Sequence, residues 1–342
     1  TGLADGQVAE IWFHLGECAR ALGDERKAEL SWRRALEREA LHVPTLVALA
    51  DAAAARADWR TVVDCKRALA ETTEGGAKAK VLEEVGDLLH GKLRDTTNAV
   101  SAYLEVLQVQ PGSHVLLHKL LEAYTESKQW RRAVETLDQL AVGEDDVAFR
   151  ARYHYAAGVI ARDELRDADL AVEKLGAALD DAPTTPRAFE AIDKLLTERK
   201  DWKNLARAYR RQLKRLGEDA EPAQLVPLWT RIGEIYLDHL GDHESATAAF
   251  QVACDLAPDD MSRHEQLADL YLEAGADRRG DAITELQVLI EHSPDRVEYY
   301  KALAQLYREE HELDKAWCVS QALVLLGAAD DSQVMKAFLK QA

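Results

Sequence analysis

The sequence predicts an all-α solenoid of about nine helix–turn–helix repeats, closed by a C-terminal capping helix. Three observations predict it. The stretch "GDLLHGKLRDTTNAVSAYLEVLQVQP" at residues 86–111 returns as "GVIARDELRDADLAVEKLGAALDDAP" at 158 and as "GEIYLDHLGDHESATAAFQVACDLAP" at 233. Apolar residues recur at spacings of three and four, as an amphipathic helix requires. Only eight of 342 residues are Pro, while Ala and Leu abound, which favours helix.

In each copy a Gly is followed thirteen residues later by Ala, seventeen by an aromatic or Leu, and twenty-five by Pro. The sets are Gly86, Ala99, Tyr103, Pro111; then Gly158, Ala171, Leu175, Pro183; then Gly233, Ala246, Phe250, Pro258. Such recurrence marks a repeat architecture. Extending it places repeats at about 9–42, 43–78, 79–113, 114–150, 151–185, 186–225, 226–260, 261–296 and 297–330, as one solenoid over 1–342. The eighth place of each holds Gly16, Ala50, Gly86, Leu121, Gly158, Asp193, Gly233, Ala268 and Ala304. A small residue there lets two helices approach closely.

In the first repeat, Trp12, Leu15 and Ala19 form one apolar stripe and Ala28, Trp32 and Ala35 the next. In the fourth these are Leu117, Leu120 and Tyr124, then Ala133, Leu137 and Leu140. The third, fifth and seventh repeats carry one extra residue in the inner turn. The second, fourth and sixth carry Trp59, Trp130 and Trp202 at that corner, where a recurring place predicts packing in the core. The true unit is therefore a double repeat of about 72 residues. The last stretch, about 332–341, reads as the capping helix, with Ser332 as N-cap and Val334, Phe338 and Leu339 covering the final repeat. A single repeat cannot bury its apolar face alone and must stack on neighbours.

The charge balance is 43 basic against 61 acidic residues, a net of −18. That argues against nucleic acid or an anionic membrane as the partner of the whole chain, and fits a partner of basic character. Cys18, Cys65, Cys254 and Cys318 have no CxxC spacing, so a reducing compartment, the cytoplasm, is expected. No apolar run approaches a membrane helix. The chain starts at Thr1 without Met, as a segment of a larger protein would.

No phosphate-binding Gly loop, dinucleotide fingerprint or nucleophile elbow occurs, so no enzyme, cofactor or metal is expected. His114 with His118, and His239 with His243, share i, i+4 spacing but lack a third ligand and read as exposed, solvated side chains. One basic run, Arg199, Lys200, Lys203, Arg207, Arg210, Arg211, Lys214 and Arg215, could bind nucleic acid or an acidic partner.

The pattern resembles the tetratricopeptide repeat family, whose signature is W-x2-L-G-x2-Y, then A-x3-F-x2-A, then P. The seventh repeat carries it nearly whole in Trp229, Ile232, Gly233, Tyr236, Ala246, Phe250, Ala253 and Pro258. The resemblance, to bacterial-type protein–protein interaction scaffolds, covers about residues 9–328. It implies a right-handed superhelix whose first helices line a concave groove and whose second helices, the basic run included, face outward. The groove residues it implies are Phe13, Glu17, Asp51, Glu83, Asp87, His118, Glu122, Tyr155, Glu190, Lys194, Glu234, Glu265 and Asp269. Many are acidic. The family's carboxylate clamp, with Asn at place 9, is absent.

The leading expectation is therefore a non-enzymatic scaffold whose acidic groove takes a basic or mixed-charge protein segment. Two alternatives stand beside it. One is a regulatory module of a larger signalling or motility protein, docking a folded partner such as a small GTPase. The other is binding of nucleic acid or an acidic partner through the basic helix 199–215.

Overall fold

The computed structural model describes residues 4–217 and 219–329. The expected capping helix at about 332–341 lies outside them. Eighteen α-helices and no strand occur among the described residues. They pair as nine antiparallel hairpins: α1 (Asp5–Ala21) with α2 (Glu25–Arg38), α3 (Val43–Ala55) with α4 (Trp59–Glu71), and α5 (Gly75–Gly91) with α6 (Thr96–Val109). Next come α7 (His114–Glu126) with α8 (Trp130–Val142), α9 (Val147–Asp163) with α10 (Ala168–Asp181), and α11 (Pro186–Glu198) with α12 (Trp202–Leu216). The last are α13 (Pro222–Glu234) with α14 (His243–Leu256), α15 (Met261–Ala274) with α16 (Arg279–His292), and α17 (Val297–Glu309) with α18 (Leu313–Leu325). The chain divides into two compact units, Thr1–Ala188 and Phe189–Ala342.

The repeated Gly does what its size suggests. A Cβ placed on Gly16 would sit 2.3 Å from Trp32 Nε1, and one on Gly86 2.3 Å from Tyr103 Cε1. On Gly158 it would meet Leu175 Cγ at 2.7 Å, and on Gly233 it would meet Phe250 at 2.7 Å. Trp32, Tyr103, Leu175 and Phe250 are all at most 1 % exposed. Each large side chain of a second helix thus occupies the space a missing side chain leaves on the first. Asp193, the one charged residue at this place, accepts the Tyr209 hydroxyl at 2.8 Å, which satisfies it.

The turns follow a rule of their own. Gly23, Ala57, Arg94, Arg166, Lys200 and Gly241 all take positive φ, between 55° and 80°. Each is followed by an Asp whose carboxylate accepts from a backbone N–H three residues on: Asp24 from Lys27, Asp58 from Thr61, Asp95 from Asn98, Asp167 from Leu170, Asp201 from Asn204 and Asp242 from Ser245. The left-handed residue reverses the chain, and the Asp caps the helix that starts there.

The corner tryptophans correct an expectation. Trp59, Trp130 and Trp202 are half-buried, outside the fully buried core. Each opens the second helix of its hairpin, so its ring lies over a turn. Trp202 stacks on His239 with ring centroids 3.6 Å apart. The Lys92 ammonium lies 5.4 Å above the Trp59 ring. His239 and Lys92 belong to the lengthened turns of the seventh and third hairpins. In the seventh the lengthening is a π-helical turn, Ile235–Leu240. In these two cases the Trp of one hairpin meets a residue in the lengthened turn of the next.

Candidate functional site

Within residues 1–188 the first helices of successive hairpins lie side by side. His42, the N-cap of α3, places Nε2 2.8 Å from Glu10 on α1. Lys119 on α7 reaches α5, and His118 on α7 lies 3.2 Å from the Tyr153 hydroxyl on α9. His90 on α5 lies 2.8 Å from Glu126 on α7. The residues that the groove pattern selects fall on these helices, along one side of each. Residues at spacings of three and four line up along each helix: Phe13 and Glu17 on α1, Val47 and Asp51 on α3, Glu83 and Asp87 on α5, and Val115, His118 and Glu122 on α7.

The carboxylates of this face are not equivalent. Lys119 Nζ sits 2.8 Å from Glu83 Oε1 and 2.7 Å from Asp87 Oδ1. Asp87 also accepts the Tyr103 hydroxyl at 2.9 Å. Burial pulls the Lys119 ammonium toward neutrality, but Asp87 and Glu83 outweigh it, and its pKa is raised. Burial and the Asp87 bond both push the Tyr103 phenol up. Glu17 pairs with Arg20 through one oxygen, while its buried Oε1 has no partner among the described residues.

Asp51 and Glu122 differ from these. Both are exposed, and neither side chain makes an ion pair or hydrogen bond among the described residues. The apolar neighbours on the same helix faces are open too: Val47 is 44 % exposed and Val115 63 %. Phe13 and Tyr155 are half-buried, and Phe13 leans on His42 with centroids 5.8 Å apart. The face therefore offers open carboxylates, open aliphatic patches and one centre where a single lysine engages two carboxylates. Lys119, which sequence reading missed, decides that pattern. It stands at a place outside the groove positions, and only the packing of α7 against α5 brings it to Glu83 and Asp87.

In residues 189–342 the expected groove residues are more internally engaged. Glu234 pairs with Arg231 at 2.8 Å, and Glu265 accepts the Tyr299 hydroxyl. Burial and then Glu265 push the Tyr299 phenol up to about 12. Asp269 is exposed, yet partial desolvation, with Glu265 and Glu273 nearby, raises its pKa. Glu190 and Lys194 are exposed, with Lys194 3.9 Å from Glu198.

The histidine pairs do not converge. His118 meets Tyr153, His239 is exposed and lies flat on Trp202, and His243 lies 3.6 Å from Glu273. No group of three or more metal-ligating side chains forms among the described residues.

Residues 226–260, the α13–α14 hairpin with its Gly233–Phe250 contact, match the family model described as the tetratricopeptide repeat. That hairpin is a tetratricopeptide repeat. Nine hairpins of that construction, with Gly or another residue at the close-approach place and a large residue opposite, form the chain's all-α solenoid fold. No protein of curated function matches its sequence. Among solved structures it is similar to a chain of Naa15/Naa10 bound to HypK-THB, at 15 % identity and a TM-score of 0.43, covering 97 % of this chain and 60 % of that one. The repeat protein thus spans about three-fifths of that chain's length. It is also similar to YrrB, described as a TPR protein with an unusual peptide-binding site, at 15 % identity and a TM-score of 0.31, covering 53 % of this chain and 89 % of that one. A third likeness is to the TPR2AB domain of yeast Sti1 in its pHSP90 complex, at 19 % identity and a TM-score of 0.27, covering 78 % and 99 %. No described helix is long and apolar enough to cross a membrane.

Proposed function

We propose that the first-helix face of residues 1–188 binds a basic or mixed-charge segment of a partner protein, and that the role is non-catalytic. One observation carries this reading. Asp51 and Glu122 are open carboxylates without partners among the described residues, each on the same helix face as an open aliphatic side chain, Val47 or Val115. Cationic side chains of a partner would neutralise the first pair while its apolar side chains cover the second. The charges would mainly set on-rate and specificity, and the apolar contacts would supply most of the affinity. The four free cysteines suit a reducing compartment such as the cytoplasm.

The test is charge reversal at the two open positions, Asp51→Lys with Glu122→Lys. Asp87 is left intact because it holds Tyr103 and Lys119. A fluorescent peptide of alternating Lys and Leu is the probe. Its affinity should fall at least tenfold, with the melting temperature unchanged, because exposed substitutions cost within about 0.5 kcal/mol each. Full-strength binding by a folded variant would exclude this face.

A further inference from the structure

We propose that α12 forms a second, independent docking surface, for an acidic helical segment of another protein. α12 runs Trp202–Leu216 and reads WKNLARAYRRQLKRL, with six cations and no acidic residue, in a chain of net charge −18. Its inner face is buried through Leu205, Ala206, Tyr209 and Gln212. Its outer face exposes Lys203, Arg207, Arg210, Arg211 and Lys214. None of these five makes an ion pair among the described residues. Arg207 donates to Asn204 Oδ1 at 3.1 Å, and the Arg210 guanidinium lies 5.1 Å over the Tyr236 ring, so both are held in place without being neutralised.

Geometry selects the occupant. Steps of three or four residues put successive cations about 6 Å apart along some 16 Å of helix. Carboxylates four residues apart on a second helix have the same spacing, so such a helix laid along α12 meets cation after cation. A long polyanion would run past the stripe and come within a Debye length, about 8 Å, of other surface in a chain of net charge −18, whereas a short segment feels the local stripe alone. Nucleic-acid recognition by stacking also needs open aromatic faces. Here the aromatic rings are engaged: Trp202 on His239, Tyr209 against Phe189 with centroids 4.8 Å apart, and Tyr236 beneath Arg210. This surface belongs to residues 189–342, and it stands whether or not the first-helix face of residues 1–188 binds a basic segment.

The experiment is fluorescence anisotropy on the full chain with a labelled 15-residue helical peptide bearing Glu at every fourth position. The expected result is saturable binding that weakens as salt rises from about 50 to 200 mM. It should drop at least tenfold in Arg207→Glu with Arg211→Glu, at unchanged melting temperature. The Asp51→Lys, Glu122→Lys variant should bind this peptide as the unmodified chain does. Absent saturation, or undiminished binding in the folded Arg207/Arg211 variant, overturns the proposal. Equal binding of a scrambled peptide of the same composition overturns the spacing. Tighter binding of a single-stranded oligothymidine of equal charge reassigns the surface to nucleic acid.

Discussion

Lys119 Nζ lies 2.7 Å from Asp87 Oδ1, across the gap between α7 and α5. This contact, with its partner to Glu83, takes two carboxylates of the first-helix face out of play. Removing the cation without changing side-chain bulk frees them. Lys119→Met is expected to tighten binding of a basic peptide severalfold, measured by titration at low salt. Unchanged affinity would mean that Glu83 and Asp87 do not face the bound segment. The raised pKa of Lys119 sets a second signature. Its contribution to stability is complete below about pH 10.4, the unfolded value, and is lost as pH climbs through the higher folded value.

Two glycines of α5 should respond oppositely to the same substitution. Gly→Ala in a helix normally gains about 1 kcal/mol. At Gly91 nothing lies within 4 Å of the new methyl, so Gly91→Ala should stabilise by about 0.5–1 kcal/mol. At Gly86 the methyl meets the Tyr103 ring at 2.3 Å, so Gly86→Ala should destabilise by about 2 kcal/mol. Urea denaturation of the two variants measures both signs. A stabilised Gly86→Ala would show that the ring can retreat.

The Asp caps make stability depend on acid. The Asn98 side-chain and backbone bonds hold the Asp95 carboxyl below its usual range. A lowered carboxyl contributes stability that is present above its unfolded pKa of about 3.9 and lost as pH falls through the folded value. Asp95→Ala should therefore cost about 1 kcal/mol at neutral pH. Measured near pH 2, the difference between variant and parent should shrink toward zero. A pH-independent cost would locate it in packing instead.

Two tryptophans should separate in the melting curve. Trp32 is 1 % exposed and fills the space above Gly16, so Trp32→Ala should cost about 3–5 kcal/mol. Trp130 is half-buried at the start of α8, so Trp130→Ala should cost about 1–2 kcal/mol. Equal losses would return Trp130 to the core.

The Gly-to-aromatic spacing was legible in the sequence because it is covalent bookkeeping. Seventeen residues separate Gly86 from Tyr103 in the chain, and the fold merely closes that loop. The burial of the corner Trp was misread for a local reason. In "ADWRTVV" and "KDWKNLA" the preceding Asp is the cap, which fixes Trp59 and Trp202 as the first residues of their helices, near a rim. The left-handed turns were hidden because Ala57, Arg94 and Lys200 are ordinary helix formers, and only the chain reversal forces their φ positive. Along the candidate face, the acidic places could be read from periodicity. Which of them stay open depends on Lys119, thirty-two residues from Asp87 in sequence and adjacent only in space.

The closure of Gly86 on Tyr103 also has a consequence in time. Contacts of such short sequence separation cost little loop entropy, so a hairpin can assemble before its neighbours have formed. Folding can then start at any hairpin and spread by stacking, and unfolding can begin at an end and retreat one hairpin at a time. Pulled from its termini, such a chain would lengthen in discrete steps of one hairpin. A surface assembled from several first helices would vanish piecemeal along with them, so tension on a bound partner's scaffold would loosen its grip gradually instead of all at once.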